Sequence, residues 1–214
     1  MLEIIKAGGW VMVPLILCSI FALAIIAERF WSLRESRVAP KNLVAQVWQW
    51  EKSGHLDARR IADLRRSSPL GRILAAGLVN RKHSREIMKE SIEDVGRHVA
   101  HDLVRFLGIL GTITAMSPLL GLLGTVVGIM KIFSTIMTHG IGDPNMMAGG
   151  IAEALIDTIT GLGIAIPSMF FYRYFHSRVD SLVITMEQEA LKMVEIIKGQ
   201  REQDSETDAR ITHP

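Results

Sequence analysis

Apolar residues are concentrated in three long stretches of the chain that contain almost no charge. Charged side chains are absent from residues 7–27 and 106–130, and they are rare in residues 144–172. Because an α-helix rises about 1.5 Å per residue, about 20 apolar residues cross the hydrocarbon core of a bilayer. The pattern therefore predicts an all-α membrane protein with three membrane-spanning helices.

The three predicted spans cover residues 10–31, 105–138 and 146–174. The first two are free of acidic side chains over most of their length, whereas the third contains Glu153 and Asp157. The third stretch crosses the membrane only if these carboxyl groups face protein or water rather than lipid.

Polar and apolar positions between the first two spans alternate with a helical period. Leu43, Val47 and Trp50 recur on one helical face, and the run Ser67-Ser68-Pro69 offers an N-cap followed by proline at the first helical position. Residues 32–104 are therefore predicted to form a helical domain with long helical extensions of the spans.

No helix-breaking residue separates the end of this domain from the second span. The pattern predicts one continuous helix from about residue 84 to 137, followed by a turn at 139–145 that is rich in glycine, proline, aspartate and asparagine. An apolar stripe extends the third helix through 175–199 and should pack on the helix that enters the second span. Residues 200–214 are too polar to fold on their own and are predicted to be disordered.

The distribution of lysine and arginine predicts the topology. Roughly two thirds of these residues lie between Arg29 and Arg105, whereas residues 132–152 have none. By the positive-inside rule the domain at 32–104 is cytoplasmic, residues 1–9 are external and the C-terminus is internal. The net charge of +2 and the absence of a basic stripe argue against a nucleic-acid partner.

Glu153 and Asp157 are the residues most suggestive of function. A carboxylate at the centre of a spanning helix costs about 2.5–3.5 kcal/mol on insertion-derived scales. Their spacing of four residues places them about 40° apart on a helix, with Thr160 on the same face. This polar stripe predicts a hydrated ion path, although hydrogen bonding between helices or a position near the membrane surface would also explain it.

Several small residues in the second and third spans allow close helix packing. These are Gly121, Gly124, Gly128 and Gly161. Pro118 and Pro167 remove helical hydrogen bonds and predict kinks, either static or flexing, and neighbouring hydroxyls such as those of Ser117 and Thr114 could satisfy the freed carbonyls.

Thr125 and Thr158 could line an ion path or bond to the preceding turn of their own helix. Thr158 lies about 140° from Glu153 on an ideal helix, so both can face one pore only if the helix deviates or the pore surrounds it broadly.

The chain lacks the patterns that predict an enzyme. It has no Ser-His-Asp grouping, phosphate-binding loop or dinucleotide fingerprint, and its histidines lack companions at metal-ligand spacing. Cys18 is the single cysteine. We therefore predict no catalytic residues, no metal and no cofactor.

The runs at residues 117–130, 150–155 and 161–167 resemble the MotA/TolQ/ExbB proton channel family, and the resemblance is greatest to its ExbB branch. It implies a homopentamer in a bacterial inner membrane, with a periplasmic N-terminus and a cytoplasmic C-terminus. It also assigns Glu153, Thr125 and Thr158 to the pore, whereas Asp157 occupies a position that is usually small or neutral in the family.

The resemblance further implies an ExbD-like single-span partner in the pore and a TonB-like partner that drives outer-membrane import with the proton motive force. Membrane lipids would surround the ring. A TolQ-like subunit of an envelope-maintenance system and a scaffold that conducts no ions are the alternatives. The choice between proton and sodium stays open.

Overall fold

The computed structural model describes most of the chain, and regular secondary structure throughout the described part is α-helical or 3₁₀-helical. The described backbone comprises residues 9–54, 56–139 and 144–211, and the described side chains comprise residues 9–54, 56–138 and 147–199. The predicted all-α class is confirmed.

The elements follow one another with short connections. A 3₁₀ turn at Gly9–Val11 precedes α1 (Met12–Ser32), α2 (Glu35–Val38), α3 (Leu43–Lys52), α4 (Ala58–Ser67), α5 (Pro69–Val79), α6 (Arg85–Val104), α7 (Leu107–His139) and α8 (Pro144–Ile211).

Three helical stretches in the described part are long and apolar enough to cross a membrane, which confirms that prediction. They lie within residues Gly9–Ser32, Arg85–Thr138 and Met147–Gly199. Many of their large apolar side chains are exposed in the single chain, including Phe21, Phe133 and Ile159. Such surface requires lipid or other protein around it.

One compact unit comprises the described parts of residues 1–29 and 106–176. Val11, Met12 and Leu15 are buried and pack against Leu120 of α7 and Ile156 of α8, among others. The start of α1 is therefore held against both of the other apolar helices. At the other end of α1, the buried Arg29 guanidinium lies 4.9 Å from the ring centre of Phe106.

The second compact unit comprises the described parts of residues 30–105 and 177–214. The stripe that includes Met186, Ala190, Met193 and Val194 of α8 is buried in it. A Cβ on Gly77 of α5 would lie 2.7 Å from Met193 Cε and 2.9 Å from Ile92 Cδ1 of α6. The stripe therefore packs near α5 as well as α6, and the sequence pattern indicated only α6.

Two helices of this unit begin at serine residues whose hydroxyls cap the first turn. The Ser68 hydroxyl accepts a hydrogen bond from the Gly71 backbone N–H at 3.0 Å, with Pro69 at the first helical position, as predicted. The Ser84 hydroxyl accepts one from the Ile87 N–H at 3.3 Å and begins α6. Each cap satisfies a backbone donor that the helix leaves free.

The continuous helix expected from about residue 84 to 137 is interrupted in the structure. α6 ends at Val104 and α7 begins at Leu107, so two residues separate them. Arg105 keeps right-handed helical dihedral angles, so the break is local. Gly108 and Gly111 in the next turns lower the helix propensity and explain why a break is tolerated here.

The ends of α7 and α8 can be compared with the predicted turn and the predicted disordered tail. The connecting turn expected at 139–145 lies largely outside the described residues, since α7 extends to His139 and α8 starts at Pro144. α8 continues to Ile211 although residues 200–214 were expected to be disordered. The Gln, Arg, Glu and Ala content of that segment favours a helix once α8 provides the preceding turns. The last three residues lie outside the described part.

Candidate functional site

Glycine residues bring the backbones of α7 and α8 into direct contact. A Cβ on Gly161 would lie 2.5 Å from the Ser117 carbonyl oxygen and 3.1 Å from Gly121 Cα. A Cβ on Gly128 would lie 2.9 Å from Ala154 Cβ. Without a side chain at these positions, helices approach closely enough for dispersion contacts along the backbone.

Two threonine hydroxyls meet at the centre of this contact. Oγ1 of Thr125 and Oγ1 of Thr158 lie 2.5 Å apart, and both side chains are half-buried. Oγ1 of Thr158 also lies 3.2 Å from the Gly121 carbonyl oxygen, and Oγ1 of Thr125 lies 3.4 Å from that of Ala154. The two hydroxyls bridge α7 and α8 within one chain.

Glu153 forms an ion pair with Lys131. Nζ of Lys131 lies 3.0 Å from Oε2 of Glu153, which is 23% exposed, while the lysine side chain is 65% exposed. Glu153 also approaches the start of the chain, since a Cβ on Gly9 would lie 2.7 Å from Oε1. Gly9 has a φ of 64°, which glycine adopts readily. Both α7 and the segment at Gly9 thus lie against this carboxylate of α8.

A recess of about 210 Å³ borders the Glu153 carboxylate. It is lined by Lys131, Ile132, Thr135, Met147, Gly150 and Glu153. A water molecule takes about 30 Å³ in the liquid, so the recess has room for several. Glu153 can therefore be hydrated without leaving the unit.

Asp157 lies in a different environment from Glu153. Only 2% of Asp157 is exposed, and a Cβ on Gly124 would lie 2.2 Å from its Oδ2. The carboxyl group thus occupies the space above Gly124 of α7. The hydroxyl of Thr160 donates to the Ile156 carbonyl of its own helix at 2.7 Å. The stripe expected from Glu153, Asp157 and Thr160 is therefore divided between a recess with room for water and a helix contact.

Pro118 and Pro167 lie within α7 and α8, which remain helical across both residues. The Ser117 hydroxyl donates to the Ile113 carbonyl and the Thr114 hydroxyl to the Leu110 carbonyl. A proline at 118 frees the carbonyl of residue 114, so neither hydroxyl serves the carbonyl that the sequence argument assigned to it.

Sequence reasoning missed the partners of Glu153. The sequence pattern places Lys131 near the end of the second span and Gly9 in the external segment. The signal was present, however, because Lys131 and Glu153 are both eleven residues from Gly142, the middle of the predicted turn. Two antiparallel helices joined by a short turn bring together residues that are equally far from it.

The residues gathered here lie in a region shared with known proteins. The sequence matches the MotA/TolQ/ExbB proton channel family over residues 65–188, which include Thr125, Lys131, Glu153 and Thr158. The chain belongs to this family.

Among the described residues, no group of three or more histidine, cysteine, aspartate or glutamate side chains is placed to hold a metal ion.

Several curated relatives carry ExbB names. The chain is 36% identical over 169 residues to a "Putative biopolymer transport protein ExbB-like 1" of Synechocystis sp., which corresponds to 78% of this chain and 66% of that protein. It is 33% identical over 189 residues to a "Putative biopolymer transport protein ExbB homolog" of Methanothermobacter thermautotrophicus, corresponding to 87% and 66%. A second Synechocystis protein, "ExbB-like 3", is 35% identical over 179 residues, or 80% and 82%. The chain thus spans just under two thirds of the length of the first two relatives.

Proposed function

We propose that this chain is the proton-conducting subunit of an energy-transducing complex in a bacterial inner membrane. The observation that carries the proposal is the position of Glu153. This carboxylate lies in an apolar helix, yet it borders a recess with room for water and faces a lysine at 3.0 Å. An ionisable group that is hydrated inside a membrane span is the arrangement expected of an ion pathway.

The Thr125–Thr158 pair extends this pathway along α8. Thr158 follows Glu153 by five residues, or about 7.5 Å along the helix axis. Hydroxyl groups both donate and accept hydrogen bonds, so the pair can pass a proton or orient a water molecule about 7.5 Å further along the helix axis. The contact of 2.5 Å between the two oxygens supports a polar element that continues inward from the recess.

The charge distribution supports an orientation with the N-terminus in the periplasm. Lysine and arginine are frequent in the unit formed by residues 30–105, which includes Arg59, Arg60, Arg65 and Arg66 of α4. By the positive-inside rule this unit is cytoplasmic, and the recess beside Glu153 then opens near the periplasmic face.

The partners are proposed from the family and from exposed apolar surface. We propose a homopentamer around an ExbD-like single-span protein, coupled to a TonB-like protein that powers outer-membrane import. Relatives named for biopolymer transport support this assignment. Large exposed side chains on α7, such as Leu119, Val126 and Met130, support contacts with other subunits or lipid.

The test uses the native complex, purified through a tag on this chain and placed in potassium-loaded liposomes with valinomycin and an internal pH dye. Glu153→Gln removes the titrating group at nearly constant size and should abolish proton uptake while assembly, measured by gel filtration, is retained. Glu187→Gln is the matched control, since Glu187 is an exposed carboxylate on the same helix. Equal uptake by Glu153→Gln and the wild type would refute the proposal.

The ion pair itself favours a second candidate, a membrane scaffold that conducts nothing. A Glu153–Lys131 pair can simply fasten α8 to α7. A scaffold predicts that the wild-type complex takes up no protons and that Glu153→Gln weakens assembly. A TolQ-like role would keep the conduction results and change only the partner recovered with the complex.

A further inference from the structure

The Asp157 carboxyl group is built into the contact between α7 and α8. Asp157 is 2% exposed. A Cβ on Gly124 would lie 2.2 Å from its Oδ2, 2.4 Å from its Cβ and 2.6 Å from its Cγ. Only a glycine leaves this space, so the carboxyl group and the glycine form a matched pair.

One oxygen of this carboxyl group has no hydrogen-bond donor among the described residues. This is Oδ1 of Asp157, which is buried. The neighbouring hydroxyls have other acceptors: Thr160 donates to Ile156, and Thr125 and Thr158 lie against each other and against the Gly121 carbonyl. A buried polar atom without a hydrogen-bond partner destabilises the fold, and a buried charge without a partner destabilises it far more. Burial without a donor therefore favours the neutral, protonated form of the Asp157 carboxyl group.

The two carboxyl groups of α8 thus differ in what faces them. Glu153 has the Lys131 ammonium at 3.0 Å and a recess beside it, whereas Asp157 has the bare backbone of Gly124. Residues four apart on a helix have Cβ atoms about 5–6 Å apart, a separation that one water molecule can bridge. The arrangement fits one ionised and one neutral carboxyl group.

We propose that Asp157 is a second binding site for the transported proton, one helical turn inward from Glu153. In the transfer, the O–H bond of the Glu153 carboxylic acid breaks and an O–H bond forms at Oδ1 of Asp157. Glu153 is left as a carboxylate paired with Lys131, and Asp157 becomes a neutral acid. In the onward step the O–H bond at Asp157 breaks and the proton passes to water on the inner side, while Glu153 takes up the next proton from water in the recess, so charge and atoms balance. This proposal rests on the proposed conduction through Glu153.

The first experiment measures proton uptake by the native complex in the liposomes described above. Asp157→Asn keeps the size of the side chain and removes the titrating group, so uptake should fall by about 100-fold, the lower end of what a positioned proton-transfer group contributes. Asp180→Asn, at an exposed position of the same helix, should leave uptake unchanged. Wild-type uptake that persists in Asp157→Asn overturns the Asp157 site alone. Absence of uptake in the wild type overturns the conduction proposal instead, and uptake that follows a sodium gradient overturns both proton assignments.

The second experiment needs no variant and therefore remains decisive if Asp157→Asn fails to assemble. The full-length chain is labelled with carbon-13 at the aspartate side-chain carboxyl groups and studied by infrared spectroscopy at neutral pH. Asp157 is the buried one among the aspartates whose side chains are described. A labelled carboxylic-acid C=O band that shifts in deuterated buffer supports the proposal, because a site for the transported proton exchanges with solvent. A spectrum that contains carboxylate bands alone, or an acid band that does not exchange, overturns it.

Discussion

Lys131 and Glu153 are 22 residues apart in the sequence, yet Nζ of the lysine lies 3.0 Å from Oε2 of the glutamate. The pair closes α7 onto α8 beside the recess that we propose as the entrance of the proton path. Its lysine is 65% exposed, so water screens much of the attraction. The pair should therefore matter more for placing charge than for holding the fold together.

Exchanging the two charges separates these roles. The double variant Lys131→Glu/Glu153→Lys keeps an ion pair at the same place, and we expect the melting temperature in detergent to stay close to that of the wild type. We also expect proton uptake to be lost, because the carboxylate has moved from α8 to α7. The single variant Glu153→Lys, which places two cations together, should melt below the double variant. Uptake by the exchanged variant at the wild-type rate would contradict the proposed role of Glu153.

The Thr125–Thr158 contact should contribute to both stability and conduction. Thr158→Val removes one hydroxyl at nearly constant shape and leaves the Thr125 hydroxyl with only its 3.4 Å contact to the Ala154 carbonyl as a bond to α8. The loss should be about 0.5–1.5 kcal/mol of unfolding free energy, together with slower proton uptake. Thr185→Val is the matched control, because the Thr185 hydroxyl donates only to Ser181 of its own helix at 2.9 Å. Equal effects of the two substitutions would show that the hydroxyl contact has no special role.

The spans and the close packing of their glycines could be predicted from composition and spacing, because lipid imposes a length and a polarity on each helix. The Thr125–Thr158 contact also follows once α7 and α8 are treated as an antiparallel pair about residue 142. On an ideal helix Thr158 and Glu153 lie about 140° apart. In the structure both contact α7, Thr158 through Thr125 and Glu153 through the long side chain of Lys131.

The environment of Asp157 could not be predicted from the same pattern. On an ideal helix Asp157 lies about 40° from Glu153, so the sequence indicates a shared face. In the structure, however, Glu153 borders a recess with room for water, whereas Asp157 lies against Gly124. The period of one helix contains no information about where its neighbour lies. The break between α6 and α7 could not be predicted either, because no proline precedes it in the sequence.

Two glycines of α8 that are two residues apart should respond oppositely to the same substitution. A Cβ on Gly161 would lie 2.5 Å from a backbone oxygen, whereas a Cβ on Gly163 meets nothing within 4 Å in the chain. Gly161→Ala should lower the unfolding free energy by about 1–3 kcal/mol through overpacking. Gly163→Ala should leave the folded chain unstrained and slightly favour the helix. Denaturation in mild detergent measures both, and strong destabilisation by Gly163→Ala would place another subunit against that face.

The cap of α6 gives a prediction that depends on pH. The Glu86 backbone N–H, and then the Ser84 hydroxyl, hold the pKa of the Glu86 carboxyl below its ordinary value of 4.5. Because the pKa is lowered in the folded state, this contribution to stability is present above pH 4.5 and is lost as the pH falls through the folded pKa. Ser84→Ala should cost about 0.5–2 kcal/mol at neutral pH and less in acid. Thermal melts of both proteins at neutral and acidic pH test this, and an equal cost at both would exclude the link to Glu86.

The match between Gly124 and Asp157 can be tested by exchanging the volumes of the two positions. Gly124→Ala alone places a methyl group 2.2 Å from Oδ2 of Asp157 and should destabilise the chain by about 1–3 kcal/mol. Asp157→Gly removes all three atoms that the methyl group would meet, so the double variant should recover most of that loss, less about 1 kcal/mol for a glycine in a helix. The recovered protein should still conduct poorly, since it has no carboxyl group at residue 157. If Gly124→Ala is equally destabilising with and without Asp157, the two residues do not contact each other in the membrane.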